Sequence, residues 1–234
     1  MTARVGYPVV FVARETYRSV LDLLFSDQLD AAWICGYPYT LYRSRLNLIS
    51  TPLYRGRPVY QAYLINNGRP ESPIRGWVDL KGRVLAYADP LSNSGWLVAQ
   101  SQLRSAGLGA RDLRRGFFAR GHRNVAEAVA SGLAHAGCID GYVWETMRRQ
   151  GMAAAHQTGV IWRSPWYGFP PLVSRLGASD GLIARLTEAL LGMHRDDQGQ
   201  ALLDALNLSG FAAPNPALYE SIAAMARAVQ PASV

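Results

Sequence analysis

The chain has 234 residues, 49% of them apolar and 18% charged, with a net charge of +7 at pH 7. That length is generous for one compact domain and comfortable for two, and the composition excludes a disordered chain. The positive charge is almost all arginine, Lys81 being the only lysine, and no block of basic residues occurs; Arg114 with Arg115 and Arg148 with Arg149 read as solvated helix faces, which argues against nucleic-acid binding.

No apolar run approaches the length of a membrane span, so no membrane insertion is expected. Cys35 and Cys138 stand far apart, without CxxC or Cys/His metal spacing, so no metal and no cofactor are expected. The opening MTARVGYPVVFVA looks superficially like a short signal peptide, but Gly6-Tyr7-Pro8 interrupts the apolar stretch.

In chain order, Pro8 to Ala13 is rich in β-branched residues and predicts a strand. Thr16 to Phe25 has helical spacing, with Val20, Leu21, Leu24 and Phe25 on one side. Ala31 to Cys35 predicts a second strand, stopped by Gly36 and Pro38, and Val59 to Ile65 a third. Asn66-Asn-Gly-Arg-Pro70 is turn chemistry. A new strand-helix rhythm follows. It has strands at Val84 to Ala88, Phe117 to Ala119, Ala136 to Ile139 and Val160 to Arg163. Its helices run from Ser92-Asn-Ser94 through Leu103, from Asn124 to Ala130 and from Tyr142 to Arg149. After Pro165 the pattern is helical, at Gly181 to Met193, Gln198 to Leu206 and Leu218 to Val229. This alternation predicts an α/β fold. The middle of the chain reads as its own unit, giving residues 66–162 as lobe II and residues 1–65 with 163–234 as lobe I, with a ligand cleft between them.

Four short segments lie where a strand hands over to a helix or a turn, the edge at which open α/β sheets bind ligands. In Tyr87-Ala-Asp-Pro-Leu-Ser-Asn-Ser-Gly-Trp96, hydroxyl residues open a helix whose first N–H groups lack intrahelical partners and attract anions; a plain helix cap is the bland alternative. In Arg120-Gly-His-Arg-Asn124, His122 is either an oxyanion donor or an ordinary turn histidine. Asp140, just past a strand, either accepts from a protonated ligand or caps the next helix. Trp33-Ile-Cys-Gly-Tyr-Pro-Tyr39 is the fourth.

Asp89-Pro-Leu-Ser-Asn-Ser-Gly-Trp96 resembles the Asp-Pro-x-Ser-Thr-Ser-Gly-Tyr stretch of the phosphonate, phosphite and phosphate binding proteins of ABC transporters. Other segments resemble that family in the same order. Arg14-Glu-Thr-Tyr17 is similar to its Thr-Asp-Tyr, and Leu29 to Tyr39 to its Asp-x-Ala-Trp-Leu-Gly-Pro-x-x-Tyr. Gly121-His122 is similar to its Ser-His, Ala128 to Asp140 to its Ala-x-x-x-Gly-x-x-Asp-Ala-x-x-x-Asp, and Ile161 to Pro165 to its returning hinge. The resemblance implies a two-lobed type 2 periplasmic-binding-protein fold. It further implies a periplasmic solute-binding protein that captures a small oxyanion for an ABC transporter permease, with closure as a hinge motion. It assigns Tyr17 and Tyr39 to the ligand from lobe I, and Ser92, Asn93, Ser94, His122 and Asp140 from lobe II. This sequence departs at Asn93, where the family has threonine, at Gly121, where it has serine, and at Cys35, where it has glycine. Family members also begin with a further strand and helix before the region matching Pro8.

Other readings stand beside this one. A sensor of the same fold would report to a signalling receptor, and its cysteines prompt arsenite as a soft-ligand variant. An enzyme would use Ser94, His122 and Asp140 as nucleophile, base and orienter, but there is no G-x-S-x-G elbow. Trp162, Trp166, Tyr167 and Phe169 either line the cleft or pack a lobe.

Overall fold

The structure, a computed structural model, describes residues 2–229. Its helices are α1 (Thr2–Val5), α2 (Tyr17–Phe25), α3 (Gly36–Leu41), α4 (Val98–Ser105), α5 (His122–Ala130), α6 (Gly141–Arg149), α7 (Ala153–His156), α8 (Asp180–Leu191), α9 (Asp197–Ala205) and α10 (Glu220–Val229). Its strands are β1 (Ala31–Trp33), β2 (Leu46–Leu53), β3 (Val59–Tyr60), β4 (Ala62–Asn66), β5 (Val84–Tyr87), β6 (Arg115–Phe118), β7 (Ala136–Asp140), β8 (Gly159–Arg163), β9 (Tyr167–Gly168), β10 (Leu172–Arg175) and β11 (Gly210–Ala212).

The chain divides into two compact units. Unit 1 holds the residues up to Val59 with Tyr167–Ser221, and unit 2 holds Tyr60–Trp166 with the chain from Ile222 on. Divisions were expected after residues 65 and 162. They fall elsewhere because β4 is a full member of the unit 2 sheet, paired to β7 on one side and β8 on the other. In the last segment, Arg104 of α4 donates to the carbonyls of Ala228 and Val229, which ties the end of α10 to unit 2.

Unit 1 carries an antiparallel sheet in the order β1-β10-β2-β11. Helix α2 packs on β1 and β10 and contributes the fully buried Leu21 and Leu24; α8 packs on β2 and β11. Three of these strands went unread in the sequence. After Pro165 the chain was expected to turn helical, with no strand, but Leu172–Arg175 lies inside the sheet between β1 and β2. Its pairing residues in β2 are more than a hundred positions away, so no local pattern announces it. The strand expected at Pro8 to Ala13 does not form. No described strand pairs with it, and Val10 and Phe11 are 80% and 86% exposed. The run Val59 to Ile65 is two strands broken at Gln61.

Unit 2 carries a five-stranded sheet in the order β6-β5-β7-β4-β8. Strands β6, β5 and β7 are mutually parallel, while β4 runs antiparallel to both neighbours. Residues alternate between its two faces as strand pleating requires. Leu64, Leu85, Tyr87, Ala136 and Cys138 point to one side, where they meet Trp77, Leu80, Ala99 and Leu103. Tyr63, Ile65, Ala86 and Ile139 point to the other, where they meet Val125, Val129, Trp144 and Met147 from α5 and α6. Burial on both faces fixes the register, because a one-residue slip would exchange the two layers.

Candidate functional site

The segment after β5 is built to present polar groups at a helix start. The Asp89 carboxylate accepts from the Leu91 N–H at 2.7 Å, and the Asp89 carbonyl accepts from the Ser92 N–H at 2.9 Å, which folds the chain back. Ser92 is then the helix cap: its hydroxyl oxygen accepts from the Gly95 N–H at 2.9 Å. Residues Asn93–Leu97 form a π-turn, closed by the Leu97 N–H donating to the Ser92 carbonyl at 3.0 Å, and run directly into α4. Such turns recur at functional sites. Gly95 lets the turn close on β5, since a Cβ there would lie 2.4 Å from the Ala88 Cβ.

Within this turn the Ser94 hydroxyl is 1% exposed and meets no hydrogen-bond partner among the described residues. A buried hydroxyl left in that state costs about 1–3 kcal/mol; Ser50 and Ser174 in unit 1 carry the same feature. Next to it, the Asn93 amide nitrogen donates to the Tyr60 hydroxyl at 3.0 Å. Tyr60 was not among the residues singled out from the sequence, where it read only as a strand tyrosine.

His122 is the first residue of α5, which starts two positions before the sequence suggested. The loop before it is pinned to the end of β5: Ala119 N–H donates to the Tyr87 carbonyl at 2.8 Å and Gly121 N–H to the Ala88 carbonyl at 3.2 Å. Arg120 and Gly121 have φ of 59° and 140°. The second value favours glycine, which gives a backbone reason for glycine where the resembling family carries serine. The His122 Nδ1 accepts from the Asp140 backbone N–H at 3.1 Å. Burial lowers the imidazole pKa to about 4. The ring is therefore neutral at pH 7, and with Nδ1 accepting, its proton is on Nε2. His122 is a neutral donor with one fixed N–H.

Asp140 ends β7 and caps α6, its Oδ1 accepting from the Tyr142 and Val143 N–H groups at 2.8 and 3.3 Å. Burial raises its pKa to about 7, against the lowering effect of those two backbone bonds. The cap reading of Asp140 holds, and it uses one oxygen of a carboxyl that is 3% exposed.

Ser92, Asn93 and Ser94 thus follow β5, His122 follows β6 and Asp140 ends β7. They share the carboxyl edge of three parallel strands, where such sheets hold ligands. The antiparallel β4 brings its start to the same edge, with Ala62 opposite Asp140, and Tyr60 just before it.

Tyr17 and Tyr39 are in unit 1. Tyr17 opens α2, capped by Thr16, and is partly buried. Tyr39 lies in α3, which forms where the sequence suggested a sharp turn, and stacks edge-on against Tyr219 at 4.8 Å. Burial raises its pKa, offset by Arg43.

Ser94, His122 and Asp140 do not form the relay named as the catalytic alternative. A serine-histidine-aspartate relay needs Nδ1–H donating to the carboxylate. Here Nδ1 accepts from a backbone N–H, and the carboxylate caps a helix. Both cysteines are buried free thiols. Cys138 lies inside the apolar layer with Leu64 and Leu85, and burial pushes its pKa up, so it offers no thiolate. Of the four aromatics, Trp162 meets Trp77 edge-on at 5.2 Å in unit 2, Phe169 is fully buried in unit 1, and Trp166 is half-exposed. Among the described residues no cluster of His, Cys, Asp and Glu is arranged to hold a metal, and no helix is long and apolar enough to cross a membrane.

A sequence profile for the periplasmic substrate-binding protein of phosphonate ABC transporters matches residues 1–219. The phosphate-import protein PhnD of Mycolicibacterium smegmatis is 28% identical over 173 residues, 68% of this chain and 53% of that protein; this chain spans about half the length of that curated relative. A binding protein component of an ABC phosphonate transporter from Pseudomonas aeruginosa superposes with a TM-score of 0.88 at 22% identity, covering 98% of this chain and 78% of that one. PhnD1 from Prochlorococcus marinus, solved in complex with methylphosphonate, gives 0.86 at 18% identity, covering 97% and 88%. These structures establish the periplasmic-binding-protein fold, and the profile match over nearly the whole chain places the protein in the family of periplasmic substrate-binding proteins of phosphonate ABC transporters.

Proposed function

We propose that this chain captures a small tetrahedral phosphorus oxyanion, a phosphonate, phosphite or phosphate, outside the cytoplasmic membrane and delivers it to an ABC transporter permease, without catalysis. The buried Ser94 hydroxyl with no partner among the described residues carries this reading. An oxyanion oxygen placed against it would accept its proton. The Nε2–H of His122 supplies a further neutral donor, aided by the positive end of the helix that follows. Asp140 faces the same edge as an acceptor, suited to a ligand O–H or amine. Tyr17 and Tyr39 of unit 1 are proposed as further ligand contacts, on the family resemblance alone. The names of the similar proteins, which include a phosphate importer and a methylphosphonate complex, support the same ligand class.

Thermal unfolding against phosphate, phosphite, methylphosphonate, 2-aminoethylphosphonate, sulfate and arsenite tests the reading. A ligand that binds only the native state stabilises it by about 2.7 kcal/mol at a hundredfold excess over its Kd. A phosphorus oxyanion should raise the midpoint, and Ser94→Ala should remove the rise. A folded protein that responds to none of them, or to arsenite alone, would overturn the proposal.

A further inference from the structure

The Asn93 amide nitrogen donates to the Tyr60 hydroxyl inside the turn. Asn93 stands where the resembling family has threonine, whose short hydroxyl branch carries no amide. Both partners are buried, Asn93 at 0% and Tyr60 at 1% exposure, and they lie 3.0 Å apart. An amide is planar, with its donor and acceptor ends held in fixed directions. A tyrosine that takes the nitrogen end therefore decides which way the carbonyl end faces. Asn93 lies between Ser92 and Ser94, inside the turn that carries the candidate shell.

We infer that Tyr60 is a positioning residue that orients the Asn93 amide, and that this pair sets which phosphorus oxyanion the turn accepts. The inference rests on the oxyanion reading above and adds the selectivity of that site. With its nitrogen held by Tyr60, Asn93 meets the ligand with its carbonyl, which accepts. A threonine at the same position donates. The turn is thereby shifted from a purely donating surface to one that also accepts a proton-bearing group. A carbonyl oxygen has two lone pairs, so it can take a ligand proton in addition to a protein contact. The favoured ligand carries its own O–H or N–H beside the oxyanion oxygens.

Hydrogenphosphate and methylphosphonate differ in this respect, an O–H in one standing where a methyl stands in the other. Isothermal titration with both, at one alkaline pH where methylphosphonate carries no proton and phosphate retains one, reads the effect as a ratio of affinities. Tyr60→Phe should lower the preference for hydrogenphosphate about tenfold, the ordinary worth of one ligand hydrogen bond. Asn93→Thr should lower it similarly, and Tyr60→Phe added to Asn93→Thr should change it less than about twofold, because the two residues act as one unit. A merely structural tyrosine would weaken both ligands alike and leave the ratio unchanged. An unchanged ratio in Tyr60→Phe, or equal changes in the two backgrounds, overturns the inference while leaving oxyanion capture intact. Failure of the unaltered protein to bind either ligand overturns the capture reading and this inference together.

Discussion

Replacing Ser94 with alanine should separate stability from binding. The hydroxyl is enclosed at 1% exposure and meets no partner among the described residues, so the ligand-free protein carries its desolvation. Removing it should leave the free protein as stable as before or relieve up to about 1–3 kcal/mol. For a chain of this size each kcal/mol moves the unfolding midpoint by about 2–4 °C, so the midpoint should hold or rise by a few degrees. The same change deletes one hydrogen bond to a charged ligand, worth about 1.5–3 kcal/mol, or roughly 10- to 150-fold in affinity. Ser92 is the control. Its oxygen accepts from the Gly95 N–H as a helix cap, so Ser92→Ala should lower the midpoint by the equivalent of about 1 kcal/mol. Differential scanning calorimetry with and without methylphosphonate reads both quantities. If Ser94→Ala lowers the midpoint as Ser92→Ala does, and leaves affinity untouched, the reasoning fails.

Gly95→Ala should overpack the turn against Ala88 by about 1–3 kcal/mol, seen as an earlier urea midpoint, and should abolish ligand stabilisation. Tyr219→Phe should cost about 1–3 kcal/mol in urea unfolding, because the Tyr219 hydroxyl donates to the Phe169 carbonyl and pairs with the Thr51 hydroxyl in the buried core of unit 1. Two titrations should oppose each other in the free protein. Asp140, raised to about 7, contributes stability that is present below the ordinary carboxyl range and lost as pH rises towards 7. His122, lowered to about 4, contributes stability that is present above its ordinary value of 6.5 and lost as pH falls towards 4. Asp140→Asn should therefore leave a stability that rises with pH between about 4 and 6.5, and His122→Phe one that falls across about 4 to 7; denaturant midpoints measured across that range check both slopes, and identical profiles would contradict the assignments.

The strands and helices of unit 2 were legible because their apolar residues alternate between two buried layers and turn residues separate them. The edge that carries Ser92 to Ser94, His122 and Asp140 was legible for the same reason, since Asp-Pro, Arg-Gly and an acidic cap mark the ends of its strands. What stayed hidden depends on distant partners. Leu172–Arg175 becomes a strand only by pairing with β1 and β2, and Pro8 to Ala13 fails to become one because no described strand meets it. Tyr60, the last residue of β3, meets Asn93 only once β4 has paired antiparallel with β7. The π-turn and the Ser94 hydroxyl inside it are likewise products of packing, since Ser-Asn-Ser alone reads as an ordinary cap.

The most direct measurement is a crystal structure of the chain grown with methylphosphonate. The account predicts tetrahedral density at the carboxyl edge of β5, β6 and β7, with ligand oxygens within hydrogen-bond distance of the Ser94 hydroxyl and the His122 Nε2. Density elsewhere, or a Ser94 hydroxyl satisfied by the protein while the ligand binds at another place, would contradict it.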